Sequence, residues 1–157
     1  MVAERLWIMV DVETSGPSYG AHSLLEIGAA AGSRERGVVD RFSALLQPTS
    51  RSVVQSRATF RRAVEAGLPP KEAMERLRDW ARPHVAAKAS FVARPAAFDW
   101  PWIVHYAWQF LGDNPFGFKA VCASSWLESK GRRFEVALPH VAVEDATIQL
   151  EYFLRHL

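Results

Sequence analysis

Leu6-Trp7-Ile8-Met9-Val10-Asp11-Val12-Glu13-Thr14 is an apolar run that ends in two acids one residue apart. In an extended strand successive side chains alternate faces, so Asp11 and Glu13 point the same way at the end of a strand whose first half belongs in a core. Two carboxylates so placed repel. Keeping both ionised away from water is costly unless one takes up a proton or a cation sits between them. Carboxylate oxygens are hard donors, so the cation this strand end suits is Mg²⁺ or Mn²⁺ rather than Zn²⁺. The alternative is a strand that simply runs into a polar turn, Thr14-Ser15-Gly16-Pro17.

Outward from this strand, Ser23 to Ala31, which contains Glu26, and Val38 to Leu46 read as two more strands. Three strands joined by short turns predict an antiparallel meander. The period then changes. Pro70 to Ala81 sets Ala73, Met74, Leu77, Trp80 and Ala81 on one stripe with charges opposite, an amphipathic helix with proline at its start. Lys88 to Ala93 returns to a short strand. Asp99 to Leu111 is a helix apolar almost all round, with Pro101 placed in its first turn. A strand or short helix over 118–127 and a basic loop, Lys130-Gly131-Arg132-Arg133, lead to a last amphipathic helix over Val141 to Leu157. Hairpin strands followed by strands alternating with helices predict an α/β fold built on a mixed sheet.

The 157 residues contain no repeat and no linker-like stretch, so one domain over 1–157 is expected. The single cysteine, Cys122, rules out an internal disulfide, suits a reducing compartment, and reads as core. The short apolar run near the N-terminus is too brief for the core of a signal peptide or for a membrane span. A cytoplasmic location without a membrane partner is expected. The net charge of +2 provides no polycationic grip on nucleic acid. Arginine outnumbers lysine 15 to 4, which suits phosphate recognition but equally follows from a composition bias that also enriches alanine.

Asp99 lies just after the strand Ser90-Phe91-Val92-Ala93, near the carboxyl edge of a parallel strand, where ligands of open α/β sheets gather. A plain helix cap explains it as well. Asp145 has an equally plain account as an acid in a helix's first turn. His140 precedes Asp145 by five residues, roughly 140° around a helix at about 100° per residue. Both reach one site only if His140 lies before the helix, which Pro139 favours.

Asp11-Val12-Glu13-Thr14, Phe98-Asp99 and His140-Val141-Ala142-Val143-Glu144-Asp145-Ala146 resemble, in order and spacing, the three motifs of the DEDDh-type 3′–5′ exonucleases, which include ribonuclease T, the proofreading subunit of bacterial replicative polymerase and oligoribonuclease. The resemblance runs from Trp7 to about Phe153. It implies a ribonuclease H-like fold, a mixed five-stranded sheet flanked by helices. It also implies that Asp11, Glu13, Asp99 and Asp145 hold two divalent ions, Mg²⁺ or Mn²⁺, and that His140 is the general base. Two ions about 4 Å apart engage both the attacking and the leaving oxygens of an in-line displacement. A positioned base then contributes roughly 10²–10⁴ in rate. Where many relatives carry His-Asn before the Phe-Asp pair, this chain has Arg94-Pro95-Ala96-Ala97, and the amide that would help hold the strand is missing.

The implied substrate is single-stranded DNA or RNA, or a short oligonucleotide, released as nucleoside 5′-monophosphates. Thr14 and Gly16, in the turn after the first motif, are candidates for the terminal sugar, and Trp102 for stacking on its base. The other aromatics of that helix, Phe98, Trp100 and Trp108, read as core. His22 and Glu26 are candidates for the pocket edge, although a partly buried structural acid fits Glu26 as well, and Lys130, Arg132 and Arg133 read either as phosphate guides or as a solvated loop. Excess aromatic surface permits a homodimer. Two readings compete: a catalytically silent binding module of the same fold, which would be expected to have lost an acid or the histidine, and a metal phosphohydrolase acting on free nucleotides or short oligonucleotides.

Overall fold

The computed structural model describes residues 4–157. Three strands, β1 (Leu6–Thr14), β2 (Leu24–Ser33) and β3 (Gly37–Leu45), form the expected antiparallel meander. Two short strands, β4 (Ser90–Ala93) and β5 (Ala120–Cys122), join it in parallel, giving one mixed five-stranded sheet in the order β3-β2-β1-β4-β5. Flanking it are α1 (Arg57–Ala66), α2 (Pro70–Ala86), α3 (Ala96–Leu111), α4 (Ala123–Glu128) and α5 (Ala142–Arg155).

Period-two alternation along β1 divides the core in two. Ile8, Val10 and Val12 face α2 and α3, meeting Met74, Leu77, Trp102 and Ile103. Trp7 and Met9 face α5, meeting Ala146, Leu150, Phe153 and Leu154. Trp7 packs edge-on to Phe153 with ring centroids 5.0 Å apart. Burying each such large side chain contributes on the order of 1.5–3 kcal/mol. Because Asp11 and Glu13 continue the Trp7 and Met9 parity, the sheet aims both acids to the α5 side.

Beyond shifts of one or two residues at strand and helix ends, five features differ from the sequence reading. The β1–β2 link, residues 15–23, is a loop rather than a short turn, closed by Ser15 N donating to Ser23 O at 2.9 Å and Ser23 N donating to Ser15 Oγ at 2.8 Å. Helix α1 was not expected at all. Its buried residues are only Thr59 and Ala63, so it carries no apolar stripe to recognise. Helix α2 continues past Ala81 through Pro83 to Ala86. Helix α3 starts at Ala96 with Pro95 as its cap, so Pro101 falls inside the helix and Asp99 in its first turn instead of at the cap. Residues 118–127 hold both a strand and the start of a short helix. Cys122, at the end of β5, is half-buried against the α3-side core. No helix among the described residues is long and apolar enough to cross a membrane.

Candidate active site

The carboxyl end of β1 emerges between α5 and α3, and each of these helices delivers one acid to it. From α3, Asp99, 3% exposed, accepts a hydrogen bond from the Val12 amide at 3.0 Å, which ties the helix's first turn to the strand between Asp11 and Glu13. On the α5 side, Asp145 is buried and its Oδ1 accepts from the backbone amide of His140 at 3.1 Å. His140 itself lies before α5, as its spacing required, in the left-handed region with φ 60°. That conformation is uncommon for a residue with a side chain, although histidine tolerates it better than most. Ligand atoms of Glu13, His140 and Asp145 come within 4.8 Å of one another.

A small residue lets α5 come this close. Gly28 pairs with Asp11 across the β1–β2 ladder. A Cβ placed on it would stand 2.0 Å from the Ala142 carbonyl carbon and 2.1 Å from the Val143 nitrogen. The backbone at the N-terminus of α5 therefore rests directly on β2, which brings Asp145 over Asp11.

Two further residues support the acids, neither identified from sequence. Gln149, one helical turn after Asp145 and 1% exposed, donates from Nε2 to Asp11 Oδ1 at 3.1 Å, while its Oε1 has no partner among the described residues. Its signal was present: an uncharged amide on the apolar stripe of an amphipathic helix. Ser56 donates to Glu13 Oε2 at 3.1 Å from a loop that nothing in the sequence marks.

The electrostatics are those of an anion cluster only partly compensated, by Arg94 near Asp11 and by His140 and Arg62 near Glu13. Burial, and then the charges of Asp145 and Glu13, push Asp11 up to about 7. Asp99 rises well above the usual carboxylate range through burial and the neighbouring Asp11. Glu13 and Asp145 are also raised, by burial first, with Asp145 adding to the effect on Glu13. A fifth acid joins them. Glu26 stands opposite Glu13 in the ladder, is raised by burial, and has Arg62 Nη2 at 3.6 Å as its counter-charge. Desolvated carboxylates in mutual repulsion, with hard oxygen donors and one imidazole, fit an oxophilic divalent cation.

The residues expected to hold the terminal nucleotide are placed less simply. The Thr14 hydroxyl donates to Gly16 O at 2.8 Å and accepts from Gln55 Nε2 at 3.0 Å, so it is committed to the turn. Gly16 is buried beneath the His22 ring, which fills the space a Cβ would take. Trp102 is 1% exposed, packed among Phe98, Tyr106 and Tyr19, and has no open face for a base. Trp108 and Tyr19, by contrast, are about half exposed. Lys130, Arg132 and Arg133 are exposed, with Lys130 Nζ 4.5 Å above the Trp126 ring.

No protein-family model matches the chain. It is 31% identical over 172 residues to the 3′-5′ DNA exonuclease Cap18 of Escherichia coli, with 96% of this chain and 90% of that protein covered. Among solved structures it resembles the nuclease domain of 3′hExo, a DEDDh family member bound to rAMP, at TM-score 0.67 and 13% identity over 97% of this chain and 92% of that one. It also resembles E. coli exonuclease I in complex with a dT13 oligonucleotide, at TM-score 0.71 and 12% identity, covering 98% of this chain and 41% of that one.

Proposed function

Since the chain belongs to the DEDDh family of 3′–5′ exonucleases, we propose that it removes nucleoside 5′-monophosphates stepwise from the 3′ end of single-stranded DNA, using two divalent ions, Mg²⁺ or Mn²⁺. The observation that carries this reading is the unbalanced charge of Asp11, Glu13, Asp99 and Asp145 beside His140. DNA is favoured because the 31% identical relative is a DNA exonuclease and exonuclease I has been solved with DNA oligonucleotides.

In this reading the four acids hold the ions. When bound, such ions neutralise charge on the phosphodiester and acidify water. The chain's own residues supply position. The Val12 amide fixes Asp99, Gln149 fixes Asp11, and Ser56 fixes Glu13, so little reorganisation is left for the reaction. His140 takes the proton of the attacking water. Its backbone is tethered to Asp145, while its exposed ring remains free to meet the substrate. Thr14 shapes the turn that faces the terminal nucleotide, and contact with the sugar falls to backbone groups of residues 13–16.

With a net charge of +2, grip on a long strand is weak and cleavage is expected to be distributive. The test is incubation with Mn²⁺ and 5′-labelled single-stranded DNA and RNA of matched sequence. Progressive shortening of the DNA from its 3′ end is expected. Absence of cleavage with any divalent ion overturns the proposal, and shortening of RNA alone overturns its choice of sugar.

A further inference from the structure

Arg94 follows β4 directly. Because β4 runs parallel to β1 with Met9 opposite Val92, Arg94 is level with Asp11 two residues further on. Met9 and Val92 both belong to the α5-side core, so strand alternation sends Arg94 to the same side as Asp11. Its guanidinium carbon lies 4.8 Å from the centroid of the Phe134 ring. Phe134 in turn packs on Tyr152 of α5 at 4.8 Å between centroids, and the Tyr152 hydroxyl donates to Arg133 O at 2.9 Å. The loop that carries His140 and the helix that carries Asp145 thus brace one cation at the edge of the acid cluster. Among the described residues it makes no ion pair.

A fixed positive charge beside a metal site opposes metal binding and gains nothing from it. Arginine stays charged at any working pH. Its charge already acts on Asp11, pulling that carboxyl down against burial and the neighbouring acids, yet it closes no ion pair there and so keeps its hydrogen-bonding fork for an anion that arrives later. A guanidinium resting over an aromatic ring can still turn N–H donors outward, and its fork matches two oxygens of a phosphate. We propose that Arg94 binds a phosphate of the substrate strand beside Asp11. This inference rests on the exonuclease reading above.

The test uses the full chain carrying His140→Ala to slow turnover, a fluorescent single-stranded oligothymidylate, and Mn²⁺. Binding is followed by anisotropy across a salt series, and Mn²⁺ affinity by calorimetry. Adding Arg94→Gln is expected to weaken oligonucleotide binding about tenfold and to flatten the slope of log K against log salt by about 0.7, the share of one phosphate on a single strand. Mn²⁺ affinity should hold or tighten. Arg94→Lys should keep the salt slope while losing part of the affinity, because lysine lacks the fork. Unchanged affinity and slope in Arg94→Gln overturns the proposal. So does loss of Mn²⁺ binding with the slope intact, which would make Arg94 a structural counter-charge. Should Arg94→Gln fail to fold, Arg94→Lys decides by the same two readouts. A wild-type chain that neither cleaves nor binds the strand sinks the exonuclease reading as well; one that does both, with Arg94→Gln indistinguishable from it, sinks Arg94 alone.

Discussion

On the outer strand of the sheet, Asp40 of β3 sits 2.9 Å from His84 Nε2, and despite partial burial that bond holds it below the usual carboxylate range. Glu4 is likewise lowered, by hydrogen bonds from Ser33 and Arg36. Two strands inward, Asp11 is pushed up to about 7 by burial and by neighbours of its own sign. The same side chain, on the same sheet, meets a partner in one place and rivals in the other. A fold that pairs Asp40 and Glu4 away from its centre yet crowds at least four acids at the end of its central strand carries an unbalanced charge there, the charge that the proposed cations would neutralise.

Substitutions that separate the two regions give the largest contrast. Asp11→Asn is expected to lower 3′-end cleavage by at least about 10⁴-fold, since metal ions supply several kcal/mol of transition-state stabilisation, whereas Asp40→Asn should stay within about twofold. Parallel time courses on a labelled strand check both. Next is His140→Ala, expected to lose about 10³-fold at neutral pH while still binding Mn²⁺ by calorimetry, because removing a base leaves the acids in place. Activity unchanged at neutral pH would remove the histidine from the mechanism.

Gly28→Ala tests how the central acids are assembled. Its Cβ would collide with backbone at the start of α5 and move Asp145 away from Asp11, so a loss of about 10²-fold in rate is expected. Gly20→Ala, whose Cβ would meet nothing closer than 4.0 Å, should be nearly silent and serves as its partner in the assay.

The smallest effect is thermal and is read on chelator-treated protein. The Asp11 carboxyl titrates near 3.8 when free and at about 7 in the fold, so between these values the native chain holds the extra proton. Its contribution to stability is complete below the lower value and is lost as pH rises through the upper one. Tm in chelator should therefore fall by several degrees between pH 6 and pH 8, at about 2–4 °C per kcal/mol for a chain of this size. Asp11→Asn should flatten that decline, and Asp40→Asn should leave it in place.

Much of this was legible in the residues themselves. The strand ending in Asp11 and Glu13 could be read because alternation and a terminal charge pair are both local signals, and the α5 stripe because it repeats over a long helix. The His140–Asp145 spacing placed the histidine before the helix on geometry alone. What escaped was set by tertiary packing. Helix α1 buries only Thr59 and Ala63, too little apolar surface to reveal itself. Trp102, expected to stack on a base, is enclosed by Tyr106, Phe98 and Tyr19, and the last of these comes from a loop that reads as a simple turn in sequence. Ser56 and Arg94 act across strand and loop boundaries, where no sequence period connects them to Asp11 or Glu13.

Calorimetric titration of the metal-free chain with Mn²⁺, repeated at pH 6 and pH 8 in buffers of different ionisation enthalpy, examines the unbalanced centre most directly. Saturable binding should release protons at pH 6, where Asp11 must give one up, and release fewer at pH 8, with Asp11→Asn shrinking the difference. A chain that takes up no Mn²⁺ at either pH, or binds it with the same proton release in Asp11→Asn, would contradict a cation site at the end of β1.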